Sequence, residues 1–185
     1  MIVAAPRRLR RAAACAVVAL ASAAAAAQAA EPGIPTEIQI PAGNKLFLEA
    51  HATGVQMYDC VAVAGGYAWS APTPRADLYG ANGKHIGIHY GGPTWEATDG
   101  SKVVARRDAP RVTVDPTAIP WLRLSAVSVA AGPDGDRFAG TSYIQRVATV
   151  GGLPPAAGEC TAETAGTHEE IPYSAEYRFW KGLEA

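Results

Sequence analysis

Cysteine is scarce in this chain, and an excess of positive charge is missing altogether. Of its three cysteines, Cys15 stands in an Ala-rich stretch near the start, which leaves Cys60 and Cys160 for the rest. No Cys-x-x-Cys spacing occurs, so a thiol-ligated metal or a dithiol redox motif has no support. The 16 Lys+Arg are outnumbered by 17 Asp+Glu, which argues against nucleic acid as a partner, since that needs a basic face. Past residue 29 no apolar run approaches the ~20 residues of a membrane-spanning helix. No stretch keeps a 3.6-residue apolar stripe over three turns with caps, so long helices are not expected. There is no internal repeat. No Gly-rich fingerprint follows a strand and opens a helix, so neither a Rossmann nor a phosphate-loop fold is supported, and no cofactor is called for.

What is present begins with a leader. Arg7, Arg8, Arg10 and Arg11 precede the small apolar run RAAACAVVALASAAAAAQAA, and Ala27-Gln28-Ala29 fits the small-x-small rule for signal-peptidase cleavage. Residues 1–29 therefore read as a signal peptide and residues 30–185 as one mature domain, secreted or periplasmic. Cleavage removes four of the 16 basic residues and none of the 17 acidic ones, leaving a net charge of -5. In an oxidising compartment Cys60 and Cys160 are expected to pair. A disulfide closing so long a loop contributes ~4–5 kcal/mol on the chain-entropy account.

The mature sequence alternates in the manner of strands. Ala50 shares a face with Leu46 and Leu48 in KLFLEAHA, and Gln56, Tyr58 and Cys60 share one in VQMYDCVAV. YAWSAP, RADLYG, KHIGIHY, TWEAT, KVVARR, RVTV, WLRLSAVSV, TSYIQRVATV and YSAEYRFW follow, separated by Gly, Pro, Asn or Asp. Asn82-Gly83 and Asp99-Gly100 are hairpin signals of the two-residue type I′ kind, and Pro133-Asp134-Gly135-Asp136 reads as a third turn. Residues 150–169 form the longest irregular segment, a surface loop pinned at Cys160. About ten short strands predict a single-domain, all-β, antiparallel sandwich or barrel with few or no helices.

The densest polar stretch is HIGIHYGGPTWEATDGS, residues 85–101. His85 and His89 share a face in a regular strand but lie ~13 Å apart at ~3.3 Å per residue, a poor chelate unless the fold brings in His51. His89 ends a strand before a Gly-Gly-Pro bend. Glu96 or Asp99 could orient it as a general base, whereas the plainer reading buries Trp95, turns the chain at Asp99 and leaves Glu96 in water. Ser101 and Ser125 lie in no nucleophile elbow. Tyr90 and Trp95 are candidates for stacking on a sugar or an apolar ligand, while Tyr173, Ala175, Tyr177 and Phe179 share a face that reads as buried.

GVQMYDC, HYGGPTWEATDGS, AIPWLRLSA, YIQRVATVGGLPP with a following cysteine, and the closing YSAEYRFW together resemble the secreted family called domain of unknown function 3455, over roughly residues 36–180. The resemblance implies the Cys60–Cys160 pairing and marks His89, Pro93, Trp95, Glu96, Asp99, Gly100 and Ser101 as a signature without assigning roles. The expectation is an exported module that binds a small molecule or glycan or associates with the cell envelope. One alternative is a hydrolase-like enzyme using His89 with Glu96 or Asp99. Another is a metal-binding protein using His89 with His51 or His85.

Overall fold

The computed structural model describes Met1 and residues 33–183; apart from Met1, the expected leader lies outside the described residues. These hold nine strands: β1 Asn44–Val63, β2 Gly66–Trp69, β3 Thr73–Tyr79, β4 His85–Tyr90, β5 Thr94–Ala97, β6 Lys102–Arg107, β7 Leu122–Ala130, β8 Tyr143–Gly151 and β9 His168–Gly182. Two three-residue 3-10 turns, Thr36–Ile38 and Ala157–Glu159, are the only helical pieces among the described residues. Every pairing is antiparallel, and from β3 to β9 each strand pairs with the next. β1 pairs with both β3 and β9. That double pairing closes a ring of eight strands, so of the two expected architectures the chain adopts the barrel, which leaves no open sheet edge in the ring. β2 pairs only with the far end of β1, through Cys60–Val63, and extends as a hairpin beyond the ring.

The two strands expected on either side of Gly54 are one strand of 20 residues. Gly54 does not break it. A Cβ there would stand 2.1 Å from the Arg75 carbonyl oxygen on β3, so the glycine admits a close approach of two backbones. The segment RVTV forms no strand and contributes a single bridge, Val112 to Trp121. Both expected hairpins exist, but with longer loops than a two-residue type I′ turn. Among the described residues only Ala148 is a non-glycine with positive φ, so Asn82 and Asp99 are not in that geometry. In the β5–β6 turn Gly100 takes φ +81° and donates to Ala97 O, as in a type I turn closed by a left-handed glycine.

Alternation fills the interior as the sequence predicts. Trp95 and Ala97 point in from β5, and Tyr173, Ala175, Tyr177 and Phe179 point in from β9, all buried. They pack with Ala50, Ala52, Leu78, Val103, Leu124, Phe138 and Ile144 into one core. A smaller cluster lies apart from it, where Ile38, carried by the N-terminal segment, packs with Ala109 and Val147. Gln145, fully buried, ties this layer together by donating to Ile38 O and accepting from Trp180 Nε1.

The connections after β4, β6 and β8, with the β1–β2 hairpin, gather at one end of the barrel, and those after β3, β5 and β7 at the other. The second end is closed by the β7–β8 connection, whose Phe138 stacks on Phe179 with centroids 4.6 Å apart. The Asp-Gly-Ser run holds this plug. Asp99 accepts from the Ser101 backbone N–H and hydroxyl and from Arg137 N, and the Ser101 hydroxyl oxygen in turn accepts from Phe138 N. Gly135 is needed beneath it, since a Cβ there would sit 2.6 Å from the Asp99 carboxylate.

Candidate functional site

The first end stays open. It holds a cavity of about 570 Å³ whose floor includes Gln56, His89, Trp95, Leu124 and Tyr177. Antiparallel register explains why these meet, because directly opposed residues share a face. His89 opposes Trp95 and Ala76, and Tyr177 opposes both Ala50 and Arg146, the latter opposing Leu122. One side of the mouth is braced covalently: Cys60 on the β1–β2 hairpin is bonded to Cys160 on the β8–β9 connection. On that side Trp69 Nε1 donates to Ala156 O, and the Tyr58 hydroxyl donates to Gly152 O at 2.6 Å. Next to it runs the β6–β7 connection with Arg111, Ile119 and Pro120, where Ile119 N donates to Gly151 O at 2.9 Å.

His89 is 3% exposed. Its ring lies parallel to Trp95, centroids 4.1 Å apart, with the edge of Tyr177 at 5.1 Å. Nδ1 lies 2.8 Å from the Thr94 carbonyl oxygen. A carbonyl only accepts, so Nδ1 carries the proton and Nε2 is left as an acceptor. Burial pushes the imidazole down to about 3, against a smaller opposing effect of the Thr94 bond, so it is neutral at physiological pH.

The carboxylates weighed as its orienters lie elsewhere. Glu96 opposes Ile88, which is exposed, so it projects from the outer face of β5. There it accepts from the Tyr90 hydroxyl at 2.7 Å and pairs with Lys102 at 2.9 Å, and these bonds hold its carboxyl below the usual range. Asp99 is engaged in the plug at the far end. A backbone carbonyl, not a carboxylate, orients His89.

The histidines also separate. A bulge sets Tyr79 opposite His85 but Leu78 opposite Gly87, so Ile86 and Gly87 both turn inward and His85 outward. His85 and His89 therefore do not share a face, contrary to the regular-strand expectation. His85 pairs with Asp77 and His51 with Glu176, both exposed. Among the described residues no group of three or more His, Cys, Asp or Glu side chains is placed to hold a metal ion. Of the two aromatic candidates Trp95 lines the cavity, whereas the Tyr90 ring does not and its hydroxyl is bound to Glu96.

Sequence reasoning missed the arginines. Arg107, Arg111 and Arg146 line the cavity, and no Asp or Glu does. A signal existed for two of them. On β6 Val103, Ala105 and Arg107 alternate onto one face, and on β8 Arg146 falls two residues after Ile144, which is fully buried. A cation on the apolar face of a strand points into the barrel.

Polar atoms of the floor are left unmatched. Gln56 Nε2 and Trp95 Nε1 are buried without a hydrogen bond, and the buried Tyr177 hydroxyl, beside Tyr173 and Arg146, makes none of good geometry. Burial raises the Tyr177 hydroxyl's pKa, with Arg146 and Tyr173 close enough to oppose the shift. Buried donors are nearly always satisfied by protein or water, and Gln56 and Trp95 both belong to the cavity lining.

No curated protein and no solved structure matches the chain. One family model does, described as Protein of unknown function (DUF3455), over residues 41–181. That match spans the whole barrel, from the strand carrying Gln56 to the strand carrying Tyr177, and the chain belongs to the DUF3455 family.

Proposed function

We propose that this chain is an exported, disulfide-braced binding domain that takes a small molecule into the open mouth of the barrel. The observation that carries the reading is the cavity of about 570 Å³, within the range of small-molecule sites, with unsatisfied donors on its floor. Its walls are largely apolar, with Ile119, Leu122, Leu124, Leu153 and several prolines, and few polar groups are available to fix orientation. His89 contributes shape and an acceptor: stacked on Trp95, neutral and without a carboxylate partner, it suits binding better than proton transfer. Export is supported by the sequence leader and by the Cys60–Cys160 bond, which persists in oxidising compartments.

The test uses the neutral dye N-phenyl-1-naphthylamine, which brightens in apolar surroundings. Wild-type protein is expected to bind it saturably, and Leu122→Trp, which fills the mouth, to weaken binding roughly tenfold or more with little change in melting temperature. Equal binding by both proteins would place the dye elsewhere and defeat the reading.

A further inference from the structure

We propose that the ligand is an organic anion, an apolar body carrying one oxyanion group that the cavity arginines receive. This rests on the small-molecule reading of the same cavity. Three arginines and no carboxylate line it, in a chain whose acidic residues outnumber its basic ones. Elsewhere the arginines Arg75, Arg123 and Arg178 are paired with Glu170, Asp108 and Glu49. None of the cavity arginines has a carboxylate within ion-pair distance among the described residues. Arg107 donates to Ala109 O, and Arg146 donates twice to Pro120 O, at 3.2 and 2.8 Å. A guanidinium has five donors in a planar fork, so the bonds to Pro120 O fix the orientation of Arg146 beside the Tyr177 hydroxyl and leave further N–H groups for a ligand. Its register partners, Leu122 and Tyr177, face the interior with it.

The floor has the same polarity. Gln56 Nε2 and Trp95 Nε1 are donors without a hydrogen bond, each on a residue about 1% exposed, and the Tyr177 hydroxyl lies beside Tyr173 and Arg146. Arginine cations together with spare neutral donors suit a group that only accepts, and a carboxylate or sulfonate does so at two or three oxygens. The apolar walls suit the remainder of such a molecule. A neutral or cationic ligand of the same size would leave the half-buried Arg146 guanidinium unanswered, which is costly in a partly desolvated site.

Two probes sharing an apolar body separate the possibilities: 1-anilinonaphthalene-8-sulfonate, which is anionic, and N-phenyl-1-naphthylamine, which lacks the sulfonate. Wild-type protein is expected to bind the anionic probe roughly tenfold or more tightly, a preference shrinking as salt is raised. Arg146→Gln is expected to abolish most of that preference while retaining the neutral probe. Arg111→Gln at the exposed rim provides a second variant if the first fails to fold, with a smaller loss in the same direction. Equal wild-type affinities that do not respond to salt would overturn the anion inference and leave the small-molecule reading standing. Failure of both probes to bind saturably would overturn both.

Discussion

The two ends of the barrel are built from the same alternating strands but treat their polar groups in opposite ways. At the plugged end the polar side-chain atoms of the Asp-Gly-Ser turn are all matched. Asp99 takes three donors, Ser101 both donates and accepts, and an aromatic stack closes the interior above them. At the open end Gln56 Nε2 and Trp95 Nε1 are buried and unmatched, and the lining carries three arginines without a carboxylate. Satisfied buried polar groups rigidify a fold, while unsatisfied ones cost stability and are tolerated where function needs them. Matched polar side chains gather at one end, and the lining of the proposed binding cavity lies at the other.

That contrast can be broken by substitution. The largest effect is expected from the brace of the open end. Replacing both Cys60 and Cys160 by Ala removes a cross-link between residues 100 apart. It should lower unfolding free energy by ~4–5 kcal/mol on the chain-entropy account, read as the guanidinium midpoint of oxidised wild type against the variant. Phe138→Ala, which unplugs the other end, should cost about 3–5 kcal/mol yet leave the neutral dye's affinity within about twofold wherever the protein is folded. A large loss of dye binding would mean that the two ends are mechanically coupled.

His89 gives the contrast a pH signature. Its folded value of about 3 lies below the ~6.5 of an unfolded imidazole. Between those values the unfolded chain holds a proton that the folded chain excludes, so this group makes stability fall as pH drops below about 6.5 and adds no slope above it. From pH 7 to pH 4.5 it should remove about 2–3 kcal/mol. Denaturant titrations of wild type and His89→Gln at both pH values should differ by that amount in their acid-induced loss. Identical losses would show that the ring is not held neutral in the folded protein.

The smallest effects make the sharpest comparison because they have opposite signs. Ser101→Ala strands Phe138 N and removes one of the two bonds to Asp99 Oδ1, and should destabilise by about 1–3 kcal/mol. Tyr177→Phe removes a buried hydroxyl that makes no hydrogen bond of good geometry, with Tyr173 and Arg146 only nearby, and should stabilise by about 1 kcal/mol. Thermal melts of the two variants test this directly. A Tyr177→Phe protein that melts lower than wild type would mean that the hydroxyl is satisfied in solution, and the account of the open end would fail there.

Much of this was legible before any fold was known. The faces of β5 and β9 could be read from their period-2 pattern, because a half-buried strand must send alternate side chains into the core. Trp95, Ala97, Tyr173, Ala175, Tyr177 and Phe179 are all buried as that pattern demands. The Cys60–Cys160 bond could be read from cysteine count and compartment. Local reading failed where geometry departed from the period. A bulge of one residue turned His85 away from His89, and a glycine that resembled a break was the crossing point of two backbones. Glu96 and Asp99, near neighbours of His89 in sequence, were sent respectively to the outer face and to the opposite end.

The sequence by itself determined the strand class, most of the inward faces, the places of the hairpin turns and the cysteine pair, because each depends on residues close in the chain or on composition. Barrel closure, the separation of a plugged end from an open one, and the meeting of Arg107, Arg111 and Arg146 with Gln56, Trp95 and Tyr177 were decided only in three dimensions. Those residues come from different strands and connections, and their proximity depends on the β1–β9 pairing that bends the sheet onto itself. No local pattern encodes that register. It follows from where buried side chains fit once every strand has found both of its neighbours.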